Sequence, residues 1–261
     1  SDDAWVGAVG YNYADSARTI TTEDLFAIYS STKTFTASLT LSLMAEGELA
    51  LDDELGDYLQ FDNPNIDESV TIRQLLTHGT GFPDYTEDSD MADTILANPS
   101  NTDWDPYYIM NSDDPTFADD EWFAPGTDRR YSSTNYILLG LIAEEILAPQ
   151  TAEEAFRARF LDPLGMDDSY FTPAETPGRP LAHPHDNLSG FGLGPDEQLP
   201  LEGIGLIARD AVSSVAWTTG GLVMTARDLA IWTHNLYTGQ AIPQAALDSM
   251  LASLPEDPTN D

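Results

Sequence analysis

The sequence predicts an α+β fold with many helices and few strands. Apolar residues recur at helical spacing between 31 and 46, and Gly47 is placed to end that helix. A second apolar segment, 136–146, has the length and character of a buried helix. Residues 5–9 instead have the composition of a strand and are followed by a polar turn. That strand requires a partner, and the chain offers few other strand segments.

Other segments carry weaker signals. Thr71 has the position of an N-cap, and a helix starting at Thr151 has acids in its first turn and arginines in its last, which suits the helix dipole. Further helices are predicted at 72–77, 91–97, 225–236 and 242–254, and a long surface loop rich in Pro, Gly and Asp at 171–202.

The charge balance is extreme and excludes some partners. Forty-five acids against ten bases give a formal net charge of −35. Such a chain repels nucleic acid and anionic membranes, so neither is expected as a partner. No apolar run approaches the ~20 residues that span a bilayer. The acids are spread in short clusters, which indicates a strongly solvated surface and adaptation to high salt.

Metal and thiol chemistry are not expected. The chain has no cysteine, which excludes disulfides, thiol nucleophiles and cysteine metal sites. Its four histidines are scattered apart from His183 and His185, and the proline between these two disfavours a preformed chelate. We therefore expect no metal site and no cofactor.

Lys33 is the only lysine, whereas the other nine basic residues are arginine. Arginine cannot act as a base because its guanidinium keeps its proton, whereas a buried lysine can lose one near neutral pH. Ser30 precedes Lys33 by three positions, so its hydroxyl and the amine share a helix face. This spacing predicts a serine nucleophile beside a lysine base, with an oxyanion bound at the helix N-terminus. Ser-x-x-Lys alone is more typical of an N-cap serine followed by a surface lysine, but in this chain surface lysines are otherwise absent, which weakens that interpretation.

The surrounding residues carry a family resemblance. The segment LFAIYSSTKTFTA at 25–37 resembles the nucleophile segment of serine β-lactamases, D-Ala-D-Ala carboxypeptidases and related esterases, in their class C-like branch. IRQLLTHGTG at 72–81 is similar to a second family segment. The resemblance continues in the same order over nearly the whole chain, at 46–53, 125–136, 162–166 and 220–225.

The resemblance implies a role for each matching residue. Ser30 is expected to be the acylated nucleophile, and Lys33 to take or relay its proton. Tyr131 matches the tyrosine of the family's Tyr-x-Asn motif and is expected to share the general-base role and protonate the leaving group. Ser133 stands where the family has asparagine, as a substrate-binding candidate of shorter reach, which leaves substrate preference open. His78 is expected to be a structural hydrogen-bonding residue.

The family's third motif, Lys/His-Thr-Gly, is missing from this sequence. In the family it lies on a strand beside the nucleophile, where it supplies part of the oxyanion hole and a cationic wall. Residues 218–220 are a variant without the basic residue, which makes Thr219 and Gly220 candidate substrate-binding residues, although they better match the family's small-residue segment before the next helix. The fold is therefore expected to be incomplete at both ends. A complementing polypeptide carrying the motif, or the remainder of the same protein, is expected to pack against the strand at 5–9.

The resemblance also refines the predicted fold to a β-lactamase/transpeptidase-like one. An antiparallel sheet is flanked by helices, and a mostly helical domain is inserted. Residues 1–60 form the first part with the nucleophile helix, 61–170 the helical domain, and 171–261 a loop and helices that return to the sheet domain, whose last strands are absent. The site is expected between the domains, at the start of the Ser30 helix.

The predicted function is that of a serine hydrolase forming an acyl-enzyme on Ser30. Its substrate is expected to be a small molecule or peptide with an amide, ester or β-lactam bond, and peptidase or esterase activity is favoured. The alternative is a non-catalytic penicillin-binding or sensory domain, or an inactive fragment, which Ser133 and the missing third motif favour slightly. We expect an extracytoplasmic protein of a high-salt environment.

Overall fold

A computed structural model of the chain describes residues 5–11, 18–87, 104–110, 122–182 and 204–252. The described residues form an α+β structure in which helices predominate. These helices are α1 (Lys33–Glu46), α2 (Ile72–Leu76), α3 (Pro106–Met110), α4 (Thr134–Leu147), α5 (Ala152–Phe156), α6 (Ile204–Gly220), α7 (Ala226–Tyr237) and α8 (Gln244–Ala252). The strands are β1 (Phe26–Ala27), β2 (Ser169–Phe171) and β3 (Leu222–Met224).

The three strands form one small antiparallel sheet in the order β1-β3-β2. Met224 of β3 lies between Phe26 of β1 and Ser169 of β2. All three residues of β3 are buried, as expected for a central strand. The sheet matters for function because β1 runs directly into the turn that carries Ser30.

Helix α1 occupies the centre of the described structure. Ten of its fourteen residues are buried, and it packs against α4, α6 and α8. Phe35 stacks on Trp232 of α7 with ring centroids 3.7 Å apart. Gly47 adopts a left-handed conformation with φ 83°, and its N–H closes the helix on Leu43 and Met44. The predicted helix and its stop are confirmed.

Three predicted helix starts are also confirmed by their caps. Thr71 accepts a hydrogen bond from the Gln74 amide, and the Gln74 side chain returns to the Thr71 amide. Thr151 makes the same reciprocal pair at the start of α5, and Thr225 caps α7. The segment predicted as a helix at 91–97, and residues 183–202 of the predicted loop, lie outside the described residues.

The strand predicted at 5–9 is wrong. These residues have no regular secondary structure, and Trp5 and Val9 are 89% and 95% exposed. The outer edge of β1 is occupied instead by 180–182, since the Leu25 amide donates to Pro180 and the Ala182 amide donates to Leu25. β-Propensity makes a strand only where a partner edge exists. A complementing segment therefore has no strand at 5–9 to pack against.

Helix α6 is not predicted from the sequence. It contains a residue with non-helical backbone angles, Trp217, and it ends immediately before β3. Residues 218–220 therefore close a helix and lead into a strand. This position brings them against the first turn of α1.

Candidate active site

The site is built at the first turn of α1, where the chain leaves β1 as a 3-10 turn, Tyr29–Thr32. Ser30 lies on this turn and is exposed. Lys33, one turn further, is only 6% exposed. A serine open to substrate thus stands next to an amine removed from water.

Three predicted catalytic residues converge on one oxygen. Lys33 Nζ lies 3.3 Å from Ser30 Oγ, and the Tyr131 hydroxyl lies 2.7 Å from the same Oγ. Lys33 Nζ also donates to the carbonyl oxygen of Thr219 at 3.1 Å. Both the amine and the phenol are therefore within proton-transfer distance of the Ser30 hydroxyl.

Burial shifts the Lys33 amine toward its neutral form. Burial lowers the pKa of its amine below the ordinary value, and this outweighs the opposite influence of Tyr131 and Asp84. Two aromatic rings act in the opposite sense, because ring faces attract a cation: the amine lies 5.1 Å from the centroid of Tyr131 and 5.8 Å from that of Tyr136. A lowered pKa raises the fraction of unprotonated amine near neutral pH, which is the form that can accept the serine proton.

His78 supports the segment that carries Tyr131. Its Nδ1 accepts a hydrogen bond from the Ser132 amide at 3.2 Å, and its ring lies 4.7 Å from the Tyr131 ring. Burial, together with the charge of Lys33, lowers the pKa of His78 to about 4. The imidazole is therefore neutral at pH 7 with Nδ1 as an acceptor. Its bond goes to the backbone next to Tyr131, so it acts on the position of the phenol.

Residues 80–87 connect the Tyr131 segment with the end of α6. The Pro83 carbonyl accepts hydrogen bonds from Ser132 Oγ at 3.0 Å and Thr134 Oγ1 at 2.7 Å. The buried Tyr85 hydroxyl donates to the Val215 carbonyl and lies 3.2 Å from Thr219 Oγ1. Sequence reasoning missed Tyr85, because an aromatic residue in an irregular segment carries no signal of its role.

Of the three predicted substrate-binding residues, Thr219 contacts Lys33, Gly220 packs against the turn that carries Ser30, and Ser133 does neither in the hydrogen bonds of the described residues. Thr219 contributes its backbone carbonyl, while its hydroxyl donates to the Ala216 carbonyl. Gly220 lies against the backbone of Tyr29, since a Cβ there would come within 3.6 Å of the Tyr29 carbonyl carbon. Ser133 is buried beside the first turn of α4 and makes no side-chain capping bond. The hydrogen bonds of Lys33 Nζ go to Ser30 and Thr219, and neither goes to Ser133.

Backbone strain is concentrated at this site. Among the described residues, three that are not glycine have positive φ: Tyr29 at 43°, His78 at 57° and Trp217 at 36°. Tyr29 precedes Ser30, His78 contacts Tyr131, and Trp217 lies two residues before Thr219. Such conformations cost about 1–3 kcal/mol each and persist where surrounding contacts enforce them. All three therefore lie in or next to the candidate site, where surrounding contacts hold them.

Other ligand-binding features are sparse in the described part of the chain. A cavity of about 280 Å³ lies beside Lys33, between α1, α2, α4, α7 and α8. The described residues include no group of three or more histidine or carboxylate side chains that could hold a metal ion. None of the helices they form combines the length and the apolar character needed to cross a bilayer.

Comparison with known proteins now identifies the family. Residues 2–261 match the Beta-lactamase family, and the chain belongs to it. The chain is 31% identical over 193 residues to penicillin-binding protein 4 of Amycolatopsis lactamdurans, an alignment that covers 72% of this chain and 46% of that relative. The chain thus spans less than half of that relative's length.

Solved structures show the same fold. The D-stereospecific amidohydrolase from Streptomyces sp. is similar with a TM-score of 0.73 and 26% identity, over 90% of this chain and 67% of that one. D-amino acid amidase from Ochrobactrum anthropi SV3, complexed with L-phenylalanine amide, gives 0.72 and 25%, over 92% and 63%. The predicted family resemblance and α+β fold class are confirmed.

Proposed function

We propose that this chain is the nucleophile-bearing part of a serine hydrolase that cleaves amide bonds, β-lactams included, through an acyl-enzyme on Ser30. One observation carries the proposal: the buried Lys33 amine and the Tyr131 phenol both reach Ser30 Oγ, at 3.3 and 2.7 Å. Membership of the Beta-lactamase family supports this general chemistry. The likeness to an amidohydrolase and an amidase named for D-substrates makes D-amino-acid amides and D-alanyl peptides the first substrates to test.

Acylation follows from the geometry of the three residues. Ser30 Oγ bonds to the substrate carbonyl carbon while its proton passes to the neutral Lys33 amine, directly or through Tyr131. The Ser30 N–H lies in the first helical turn, where amides lack partners within the helix, and is a donor for the oxyanion that forms. The C–N bond then breaks as the Tyr131 hydroxyl protonates the leaving amine, and Lys33 returns a proton to Tyr131.

Deacylation uses the same groups in reverse. A water molecule gives its proton to the Lys33–Tyr131 pair and its oxygen bonds to the acyl carbon. The ester bond to Ser30 Oγ then breaks, the acid leaves, and Oγ recovers a proton from the pair. The lowered pKa of Lys33 therefore serves both half-reactions, because the amine must be neutral at the start of each.

Active-site labelling tests the proposal. The chain is incubated with a fluorescent penicillin and a fluorophosphonate, digested, and the modified residue is located by mass spectrometry. We expect the label on Ser30, its loss in Ser30→Ala, and its retention in Ser31→Ala, the matched control on the same exposed turn. Label on another residue, or undiminished labelling of Ser30→Ala, would refute the assignment.

Lys33→Arg tests the base. Arginine keeps the positive charge, but its guanidinium does not release its proton. The variant therefore has no group at position 33 that can accept the proton of Ser30. We expect the acylation rate to fall by about 10²-fold or more. A rate within about threefold of the unmodified chain would show that Lys33 is not the base.

The alternative function, a non-catalytic penicillin-binding or sensory domain, can be tested directly. Ser133 in the asparagine position and the lack of a Lys/His-Thr-Gly sequence favour it. Burst kinetics with a chromogenic cephalosporin and a D-amino-acid anilide separate the two functions. A stoichiometric burst without turnover indicates a penicillin-binding or sensory domain, whereas sustained turnover indicates an enzyme.

We propose further that a segment outside these 261 residues, either in a second polypeptide or in the remainder of the same protein, supplies the Lys/His-Thr-Gly strand. The absence of the motif from the 261 residues supports this, as does the 46% coverage of the Amycolatopsis relative. The test is co-expression with the part of that relative that the alignment does not cover. We expect a stable complex on size exclusion and faster acylation than with the chain alone. Equal rates with and without the segment would contradict it.

A further inference from the structure

Helix α6 is interrupted just before the residues that meet α1. Trp217 has φ 36° and ψ −122°, which no helical residue adopts. The side chain is buried. A bulky residue at positive φ is strained, so neighbouring contacts must hold it there.

Two elements outside the catalytic turn hold Trp217. Its indole Nε1 donates to Glu153 Oε1 at 2.8 Å, and Glu153 lies in the first turn of α5. On the other side α4 approaches closely at Gly140. A Cβ at that glycine would come within 2.8 Å of Trp217 Cζ3 and 2.4 Å of Thr218 Oγ1. The glycine is therefore what lets α4 reach this turn.

The break directs two consecutive carbonyls at the nucleophile helix. Thr36 Oγ1 donates to the Thr218 carbonyl at 2.5 Å, and Lys33 Nζ donates to the Thr219 carbonyl at 3.1 Å. In a continuous helix, carbonyls point along the axis toward amides of the same helix. Here Lys33 and Thr36, one turn apart on α1, bind them instead.

We propose that Trp217 and Glu153 are positioning residues that hold the Lys33 amine in place through the Thr219 carbonyl. Among the described residues, no hydrogen bond or aromatic ring contact joins either of them to Ser30, Lys33 or Tyr131. The Glu153 carboxylate fixes the indole, the indole fixes the turn at 217–219, and the turn presents the acceptor for the amine. The catalytic meaning of this chain of contacts rests on the proposed function, but the contacts themselves do not.

The single lysine permits a readout that does not depend on activity. Protein labelled with [6-¹³C]lysine gives one ε-carbon signal, which belongs to Lys33. Its chemical shift against pH reports the protonation of the amine directly. Acylation by fluorescent penicillin is measured in parallel on the same samples, in molar salt.

Four variants change the contact between Trp217 and Glu153, or the packing around it, in different ways. Glu153→Ala removes the acceptor and Trp217→Phe removes the donor, while Glu153→Gln keeps an oxygen acceptor. Gly140→Ala presses on the turn without changing a polar group. Glu145→Ala, an exposed acid on α4, is the matched control. Circular dichroism checks that each variant is folded. If another variant does not fold, the conservative Trp217→Phe variant still provides the test.

The expected result is a shift of the Lys33 titration midpoint to lower pH. A fixed carbonyl favours the charged amine, so its loss lowers the midpoint by about half a pH unit or more, the scale of one hydrogen bond. We expect this in Glu153→Ala, Trp217→Phe and Gly140→Ala, with acylation at least about tenfold slower. Glu153→Gln and Glu145→Ala should match the unmodified chain in both measurements.

Two outcomes overturn the inference. Midpoints within about 0.3 pH unit and rates within about twofold of the unmodified chain, in the folded variants, would show that Trp217 and Glu153 do not position Lys33. A shift of the Lys33 midpoint to higher pH would show that the amine became more exposed to water, and that the loss of the Thr219 carbonyl as an acceptor was not the main effect. If the midpoint moves as expected while no form of the chain is acylated, the positioning role stands and the proposed function fails.

Discussion

Acid is expected to loosen the segment that carries Tyr131, because a neutral histidine holds it. His78 Nδ1 accepts from the Ser132 amide. When Nδ1 is protonated it becomes a donor facing a donor, and the bond is lost. The perturbation is therefore a fall in pH from 7.5 to 4.5. The affected element is the short segment with Tyr131 and Ser132 that leads into α4.

The magnitude follows from the pKa of His78, which burial and the charge of Lys33 lower from 6.5 to about 4. Between these values the unfolded chain binds the proton more readily than the folded one, so stability falls as the pH falls. At 1.36 kcal/mol per pH unit the full difference corresponds to about 3 kcal/mol. Because the ring is only partly buried and water screens it, we expect about 2 kcal/mol.

Urea denaturation of the unmodified chain and His78→Asn, at several pH values, measures this loss. Asparagine tolerates the left-handed conformation at this position and keeps an acceptor, but it does not titrate. The many carboxylates titrate alike in both proteins, so the difference between the two curves isolates His78. We expect the unmodified chain to lose about 2 kcal/mol more than the variant between pH 7.5 and 4.5. Parallel curves over that range would refute the reasoning.

Three further predictions concern other parts of the chain. Tyr131→Phe should slow acylation by about 10²-fold or more while Ser30 can still be labelled slowly, and an unchanged rate would exclude a proton relay through the phenol. Gly81→Ala should cost about 2 kcal/mol or more, because a Cβ there would lie 2.0 Å from the Phe123 carbonyl oxygen. Gly47→Ala, with the same φ of 83° and open space around it, should cost only about 1 kcal/mol in the same urea titration. The melting temperature should fall as salt is reduced from molar to low concentration, since a net charge of −35 repels itself, and a flat response would contradict halophilic adaptation.

Local rules explain what the sequence predicted well. The helix that carries Lys33, its stop at Gly47 and the threonine caps at 71, 151 and 225 depend on residues within four or five positions of one another. The Ser30–Lys33 contact belongs to the same class, because i and i+3 share a helix face whatever the rest of the fold does. The lone lysine added a chemical reason to choose this pair among many serines.

Tyr131 marks the limit of such rules. It lies 101 positions from Ser30, yet its hydroxyl is 2.7 Å from Ser30 Oγ. Only the family resemblance pointed to it, since no local pattern links the two. The mistaken strand at 5–9 has the opposite cause: its composition suits a strand, but residues 180–182 already occupy the available edge of β1.

The sequence by itself predicted the Ser30–Lys33 pair and the helix that aligns the two side chains. Tertiary structure decided the environment of Lys33: the burial that lowers its pKa, and the Thr219 carbonyl that reaches its amine from 186 positions away. The physical reason is one of range. Backbone hydrogen bonds and caps act within a turn, whereas desolvation and the strained turn at Trp217 exist only once α1, α4, α5 and α6 are packed together.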